Sequence, residues 1–314
     1  MPHRIVLIAL FATACFTGTL AHAQTGDLVA AAKRGDLDIV NRFLQAGADV
    51  NDRKFTGLGG DATALMEASN SGHLEVVQAL LAAKADVNAT LSEKKDGKTA
   101  LTIAAQKGHV EVVRTLLAAN AGVNHPCCGV SALHGEVNAL YAAARAANLN
   151  MVKVLLTAKP DLNLQEKNGN TALMHVISTR TPDSPEIARL LIEAGAHVNL
   201  SSNDGVTALT LAVQAKSLAT VRALLAAGAN VDFRWCSVPV SGRVLSPVPL
   251  GRANATALGI ASSLGKADVV QALLSAKADV NPAQCDGKTP LTLALENDHQ
   301  DVAELLRSAG AAVQ

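Results

Sequence analysis

The sequence predicts an all-α fold, a solenoid of about eight stacked helix-turn-helix repeats, and three observations support this prediction. Of the 314 residues, 49% are hydrophobic but only 2% are aromatic. A core of Ala, Leu and Val suits short helices that pack closely, whereas strands favour aromatic and β-branched residues. One leucine recurs eight times, with a shortest spacing of 33 residues, and a threonine precedes it by two residues in six repeats. A threonine at that position can cap the start of a helix.

The balance of charge argues against a nucleic-acid partner. The chain has 27 Lys and Arg residues and 27 Asp and Glu residues, so its formal net charge is zero. Proteins that follow a phosphate backbone need clustered cations, and those that stack on bases need aromatic platforms. The five Phe, one Trp and one Tyr are too few for such a platform.

The first 23 residues have the pattern of a signal peptide. One positive side chain, Arg4, precedes a nearly continuous apolar run over residues 5–20, and Ala21 and Ala23 are small residues at the positions that a signal peptidase reads. The run is short for a membrane span. We therefore expect a signal peptide at 1–23, a repeat domain at 24–314, no membrane attachment after cleavage, and a location in the periplasm of a bacterium or outside the cell.

Each repeat begins at the recurring leucine and follows one pattern. The leucines are Leu28, Leu65, Leu101, Leu140, Leu173, Leu209, Leu258 and Leu291. A short Ala-rich helix ends at a glycine such as Gly72 or Gly108, and a second helix presents Val-Val and Leu-Leu pairs at helical spacing. A closing Asp-Val-Asn or a variant of it then starts a turn, and we expect its Asn and Asp side chains to bond the backbone locally.

The end of the second helix requires a left-handed residue, which glycine adopts most easily. Glycine fills this position at Gly47, Gly195, Gly228 and Gly310. Asn120 also tolerates the conformation. We expect backbone strain where lysine stands instead, at Lys84, Lys159 and Lys277.

This pattern resembles the ankyrin repeat family. The resemblance covers the chain after the signal segment and implies two antiparallel helices and a β-turn finger per repeat, with the first and last repeats acting as caps. The family's Thr-Pro-Leu-His motif is mostly Thr-Ala-Leu here, and its proline is kept only at Pro290. Loss of the motif's histidine implies lower stability per repeat, because the family uses it for a hydrogen bond between repeats.

The resemblance also implies which residues face a partner, since the family directs the last two residues of each first helix to a concave surface. The candidates for partner binding on these helices are Lys33, Arg34, Asn70, Gln106, Lys107, Arg145 and Gln214. This surface is basic in the N-terminal half and acidic at the far end. It is either complementary to an acidic patch on a partner or an ordinary solvated face.

The longest insertion, Phe233–Ala253, lies before Leu258 and contains the single Trp and three Arg but no acid. Exposed aromatic residues beside arginine are typical of interface hot spots. The alternative is that Trp235 folds over the adjacent fingers as a hydrophobic plug. The candidate contacts in this loop are Phe233, Arg234, Trp235 and Arg243.

Four cysteines remain after removal of Cys15 with the signal segment, and an even number in an exported chain suggests disulfides. Cys236 and Cys285 fall in neighbouring fingers, so we expect a disulfide between them. Adjacent Cys127 and Cys128 can form a vicinal disulfide or remain as free or intermolecular thiols. A weaker alternative is a metal site formed by His125, Cys127, Cys128 and His134, whose spacing differs from that of structural zinc sites.

No pattern in the sequence indicates catalysis. His73 and His109 follow the repeat glycine, where histidine is structural, and residues 57–60 lack the Lys-Ser/Thr of a phosphate loop. We expect a non-enzymatic, monomeric scaffold that binds another protein and needs no cofactor. The alternatives are a redox- or metal-responsive protein that uses the Cys127–Cys128 loop, and a secreted effector directed at a host.

Overall fold

The computed structural model describes residues 28–58, 60–91, 97–125, 138–234, 256–282 and 287–312. The expected signal segment, 1–23, lies outside them. The described chain forms two compact units. The first unit takes in residues up to Ala143 together with Asn150–Pro160, and the second contains Ala144–Leu149 and the residues from Asp161 onward.

The first unit is built from paired helices and one short hairpin. Its helices are α1 (28–34), α2 (Leu37–Gln45), α3 (Ala64–Ser71), α4 (Leu74–Ala82), α5 (Ala100–Lys107) and α6 (Val110–Ala118). Two strands, β1 (Arg53–Phe55) and β2 (Asp61–Thr63), pair antiparallel between α2 and α3. The next two helices, α7 (Ala139–Arg145) and α8 (Leu149–Leu156), contain residues of both units.

The second unit continues the same alternation. Its helices are α9 (Ala172–Thr179), α10 (Ser184–Glu193), α11 (Ala208–Gln214), α12 (Leu218–Ala226), α13 (Ala257–Ser263), α14 (Ala267–Ser275), α15 (Pro290–Glu296) and α16 (Gln300–Ser308). From α9 onward, first helices pack on their own second helices and on the first helix of the neighbouring repeat, as α11 does with α12 and α13. The all-α repeat fold expected from the sequence is confirmed. No helix among the described residues combines the length and apolar composition needed to cross a bilayer.

The recurring leucine is the centre of the core. All eight copies are at most 2% exposed, and the other buried hydrophobic residues of the two helix layers are mainly Ala, Val and Leu. Burying a leucine side chain contributes about 1.5–3 kcal/mol. Because the surrounding side chains are small, the helices approach closely, which explains a well-buried core with so few aromatic residues.

The expected threonine caps are present. In each, the hydroxyl oxygen accepts from the backbone N–H three residues later, at 3.1 to 3.4 Å. The caps are Thr63, Thr99, Thr171, Thr207, Thr256 and Thr289. Asn138 takes this place before α7, where its Oδ1 accepts from the Tyr141 N–H at 2.9 Å.

Histidines connect neighbouring repeats. Each ring packs against the glycine at the end of the preceding repeat's first helix and bonds a carbonyl beside it. The ring Nε2 of His73 donates to the Lys33 carbonyl at 3.1 Å, and His109 donates to the Asn70 carbonyl at 3.1 Å. A Cβ at Gly35 or Gly72 would lie 2.6 Å from these rings. His299 and Gly265 repeat the arrangement in the second unit. These histidines therefore have the structural role that the sequence suggested.

The closing Asn or Asp acts differently from the expectation of a local bond. Asn88 Oδ1 accepts from the Gly122 N–H of the next repeat at 2.8 Å, while the local turn is bonded by Asp86, which accepts from the Asn88 N–H at 3.0 Å. Asn51, Asn163, Asn199, Asp232 and Asn281 make the same bond to the following repeat. The expected local bond is thus confirmed for the Asp of the Asp-Val-Asn turn. It was wrong for the closing residue, because a side chain's partner across a repeat depends on stacking, which local turn chemistry does not encode.

Candidate functional site

The residues expected to face a partner lie at the ends of the first helices. Arg34, Gln106, Lys107 and Arg145 are exposed. Asn70 and Gln214 are half-buried, and the Lys33 side chain is 53% exposed. Within the first unit, the ends of α1, α3 and α5 thus carry three cations, Lys33, Arg34 and Lys107.

A buried carboxylate lies beneath this row, and the sequence reasoning missed it. Glu67 in α3 is 0% exposed, and its Oε2 is 3.9 Å from Lys33 Nζ. Neither carboxylate oxygen accepts a hydrogen bond from the described residues. A buried carboxylate needs a compensating partner, and Glu67 therefore holds the ammonium of Lys33 close to α3.

His175 occupies the same repeat position in the second unit, two residues after the leucine. Burial is the main cause that lowers its pKa below 6.5, the charge of Arg145 lowers it further, and Glu166 opposes both. Lys33 and Arg145 also share a position, five residues after the leucine of the preceding repeat. Aligning the repeats would have revealed Glu67 and His175, because Ala, Ile or Leu stands two residues after the leucine in the other repeats.

The end of α15 carries less net negative charge than the sequence suggested. Glu296, at the end of α15, pairs with Lys288 through a 2.6 Å contact between Nζ and Oε2. This lysine precedes the Thr289 cap and comes from the finger side of the same repeat. The negative charge expected at the C-terminal end is therefore offset by a neighbouring cation.

The hairpin between the first two repeats carries an exposed aromatic residue that the sequence reasoning also missed. Phe55 in β1 is 74% exposed and is the one large hydrophobic side chain exposed among the described residues. It pairs with Asp61 of β2. Arg53, two residues earlier on the same strand, donates from Nη1 to the Thr90 carbonyl of the next finger at 2.6 Å. This finger is thus fixed by its neighbour and presents a ring to solvent.

The candidate loop and cysteine residues are only partly described. Phe233 is half-buried and Arg234 exposed at the end of a finger turn. The His125 N–H donates to the Gly122 carbonyl at 3.2 Å in the corresponding turn. Outside the described residues lie Cys127, Cys128, His134, Trp235, Cys236, Arg243 and Cys285. Among the described residues, no group of three or more His, Cys, Asp or Glu could hold a metal ion.

Two small depressions mark the described surface of the second unit. One, of about 150 Å³, is lined by Arg180, Ser184 and Thr220 among others, where the segment between α9 and α10 meets the start of α12. The hydroxyl of Ser184 is already bonded there, 2.9 Å from Thr181 Oγ1. The other, of about 350 Å³, lies between the outer helices α12 and α14.

Known proteins share this repeat architecture. The family profile described as ankyrin repeats matches residues 28–127, 139–234 and 244–314. The nuclear factor NF-kappa-B p105 subunit of Gallus gallus is 29% identical over 175 residues, which cover 55% of this chain and 16% of that protein. The ankyrin repeat and KH domain-containing protein mask-1 of Caenorhabditis elegans is 30% identical over 195 residues, or 57% of this chain and 7% of that protein.

An intracellular phospholipase A2 of the same nematode is 28% identical over 188 residues, covering 58% of this chain and 16% of that enzyme. The chain thus matches less than a fifth of the length of each of these three relatives. Proteins with quite different names have the repeat segment in common with it. Because the family profile covers well over half of its residues, the chain belongs to the ankyrin repeat family.

Proposed function

We propose that this chain is a non-enzymatic scaffold that binds another protein through its fingers and the ends of its first helices. It is exported to the periplasm of a bacterium or secreted. Ankyrin repeats generally mediate protein–protein interaction, and the proposal applies that role to the surface described above.

One observation carries the proposal: within each unit, separate residues maintain the fold and form the surface. The buried leucines, the threonine caps and the histidine and asparagine bonds between repeats account for packing. Arg34, Lys107 and Phe55 lie on the same repeats, are exposed, and take no part in that core. Such side chains can vary with the partner while the scaffold is retained.

The relatives support a binding role over a catalytic one. A nuclear factor subunit, a KH domain-containing protein and a phospholipase share only a small part of their length with this chain. Since the shared part is the repeats, the activity in the phospholipase's name belongs to that whole protein. Export rests on the pattern of residues 1–23 alone.

A capture experiment tests the binding role. The purified mature chain is immobilised, an osmotic-shock extract is passed over it, and each captured protein is identified by mass spectrometry, purified and titrated by calorimetry. We expect at least one partner with a stoichiometric interaction that a Trp235→Ala or Phe55→Ala variant weakens. Arg114→Gln on α6 is the control, because this side chain is 60% exposed on the second-helix layer.

Two results would contradict parts of the proposal. Absence of any stoichiometric partner from both the extract and the growth medium would oppose the scaffold role itself. Equal affinities for the wild type and both variants would show that the Trp235 loop and the Phe55 finger are not the contacts.

A further inference from the structure

We propose that the first unit recognises an acidic, extended segment of its partner along the ends of α1, α3 and α5. This surface, which we call the basic strip, consists of Lys33, Arg34, Asn70, Ser71 and Lys107. The inference rests on the proposed function and specifies the chemistry of the partner.

The charge of the basic strip is the first support. Arg34 and Lys107 are exposed, and no carboxylate among the described residues forms an ion pair with either. The single acid in α1, α3 and α5 is Glu67, which is fully buried. A partner that approaches the strip therefore meets cations and no exposed carboxylate from these helices, which favours an acidic segment.

The spacing of the helices is the second support. The His73 bond to the Lys33 carbonyl and the His109 bond to the Asn70 carbonyl fix the three helix ends side by side. Packed helices lie about 10 Å apart, so the ends of α1 and α5 are separated by roughly 20 Å. About six residues of extended chain span that distance. Asn70 and Ser71, both half-buried, lie between the two cationic ends.

Glu67 gives the inference an unusual consequence. Its carboxylate accepts no hydrogen bond from the described residues and has Lys33 Nζ at 3.9 Å as its ion-pair partner. A carboxylate from the partner must compete with Glu67 for this flexible ammonium. Replacing Glu67 by neutral glutamine should release Lys33 and strengthen the binding of an acidic segment. If a partner used Glu67 as an acceptor for its own cation, the same replacement would weaken binding.

The probe for this experiment is a fluorescein-labelled peptide of alternating glutamate and glycine, with a lysine–glycine peptide as the charge-reversed control. Binding to the full mature chain is followed by fluorescence anisotropy at low salt. We expect the double variant Arg34→Gln, Lys107→Gln to bind the acidic peptide about tenfold more weakly. Glu67→Gln should bind it about threefold more tightly. Arg114→Gln should match the wild type, and physiological salt should weaken all affinities.

Three outcomes would overturn the inference. The wild type could bind the glutamate peptide no better than the lysine peptide, the Arg34 and Lys107 variant could bind as the wild type does, or Glu67→Gln could weaken binding. Circular dichroism and the urea midpoint of each variant establish that it is folded before it is compared. A partner captured equally by the wild type and the Arg34 and Lys107 variant would leave the scaffold function intact while refuting the acidic segment.

Discussion

At the scale of single residues, eight described non-glycine residues adopt a positive φ, and all lie where a helix ends. Lys84, Lys159 and Lys277 confirm the left-handed positions expected from the sequence, with φ of 64°, 51° and 63°. The side chain of a non-glycine residue disfavours this conformation by about 1–2 kcal/mol. The conformation therefore lowers the free energy of unfolding at these sites. It is retained because the chain must turn there from the end of the helix into the finger.

Lys84→Gly should stabilise the first unit by about 1 kcal/mol, because glycine adopts the required φ without strain. Urea denaturation followed by circular dichroism measures the change in the free energy of unfolding. Lys84→Ala is the matched control, since it removes the charge but keeps the Cβ. The reverse change, Gly47→Ala, should destabilise the unit because the φ of Gly47 is 82°. No atom lies within 4 Å of the added Cβ, so the loss would come from the backbone conformation and not from a clash. Stabilisation by both Lys84 variants alike would contradict the role of φ.

His175 makes stability depend on pH in a defined direction. Burial and Arg145 lower its pKa below the ordinary value of 6.5, despite the opposing charge of Glu166. In the unfolded chain His175 therefore takes up a proton near pH 6.5, whereas in the folded chain it does so only at a lower pH. This contribution to stability is full above pH 6.5 and is lost as the pH falls toward the folded-state pKa.

We expect the free energy of unfolding to decrease from pH 7.5 to pH 5.5 more steeply in the wild type than in His175→Gln, whose amide does not titrate. The exposed His197 provides the control variant, His197→Gln, which should retain the slope of the wild type. Parallel pH profiles for the wild type and His175→Gln would exclude this role of His175.

At the scale of elements, hydrogen bonds connect neighbouring fingers to one another. The hairpin of β1 and β2 is closed by the Thr56 N–H, which donates to the Gly60 carbonyl at 3.2 Å, and Arg53 ties it to the next finger. In the second unit, Asn203 Nδ2 donates to the Lys167 carbonyl of the preceding finger at 2.8 Å. Such bonds fix the positions of neighbouring finger tips before any partner binds, which lowers the ordering entropy of association.

Asn88→Ala should destabilise the first unit by about 1 kcal/mol, because the Gly122 N–H loses its acceptor in the preceding repeat. Asn88→Asp should behave like the wild type, since a carboxylate oxygen can accept the same bond, as Asp232 does naturally. Hydrogen exchange at the Gly122 amide provides a local measurement and should become faster only in the alanine variant. Unchanged exchange there would mean that the bond does not protect the finger.

At the scale of the whole molecule, each unit is a series of near-identical modules in which contacts join adjacent repeats. In such architectures stability is approximately the sum of repeat and nearest-neighbour terms, so no single residue controls the fold. This tolerance is consistent with the departures from the family motif, including alanine at most positions where the family has proline. It also leaves the surface residues free to determine the partner.

The proposed export concerns the whole chain, so it is tested on the full sequence. When the full sequence is produced in a Gram-negative bacterium, we expect the periplasmic fraction to contain a protein whose intact mass corresponds to a chain that begins at Gln24. Ala23→Arg should prevent cleavage, because the peptidase requires a small residue there. Recovery of the uncleaved wild-type chain from the cytoplasm alone would contradict export.

The sequence by itself determined the repeat, the helix pairs, the threonine caps and the left-handed helix ends. These features depend on residues within a few positions of one another, and they recur in register, so each repeat reinforces the prediction for the next. The resemblance to the ankyrin family, which rests on this regularity, implied that the ends of the first helices form the candidate surface.

The tertiary structure alone decided which side chains meet across repeats. Glu67 lies beneath Lys33, Arg145 lowers the pKa of His175, and Asn88 bonds Gly122, although the partners in each pair are some thirty residues apart. Local propensity contains no information about such pairs, because their distance depends on how one helix pair stacks on the next. The charges at the helix ends could likewise be counted from the sequence. The neutralisation of Glu296 by Lys288 could not, because it depends on how the residue before the Thr289 cap is placed against the far end of α15 within one repeat.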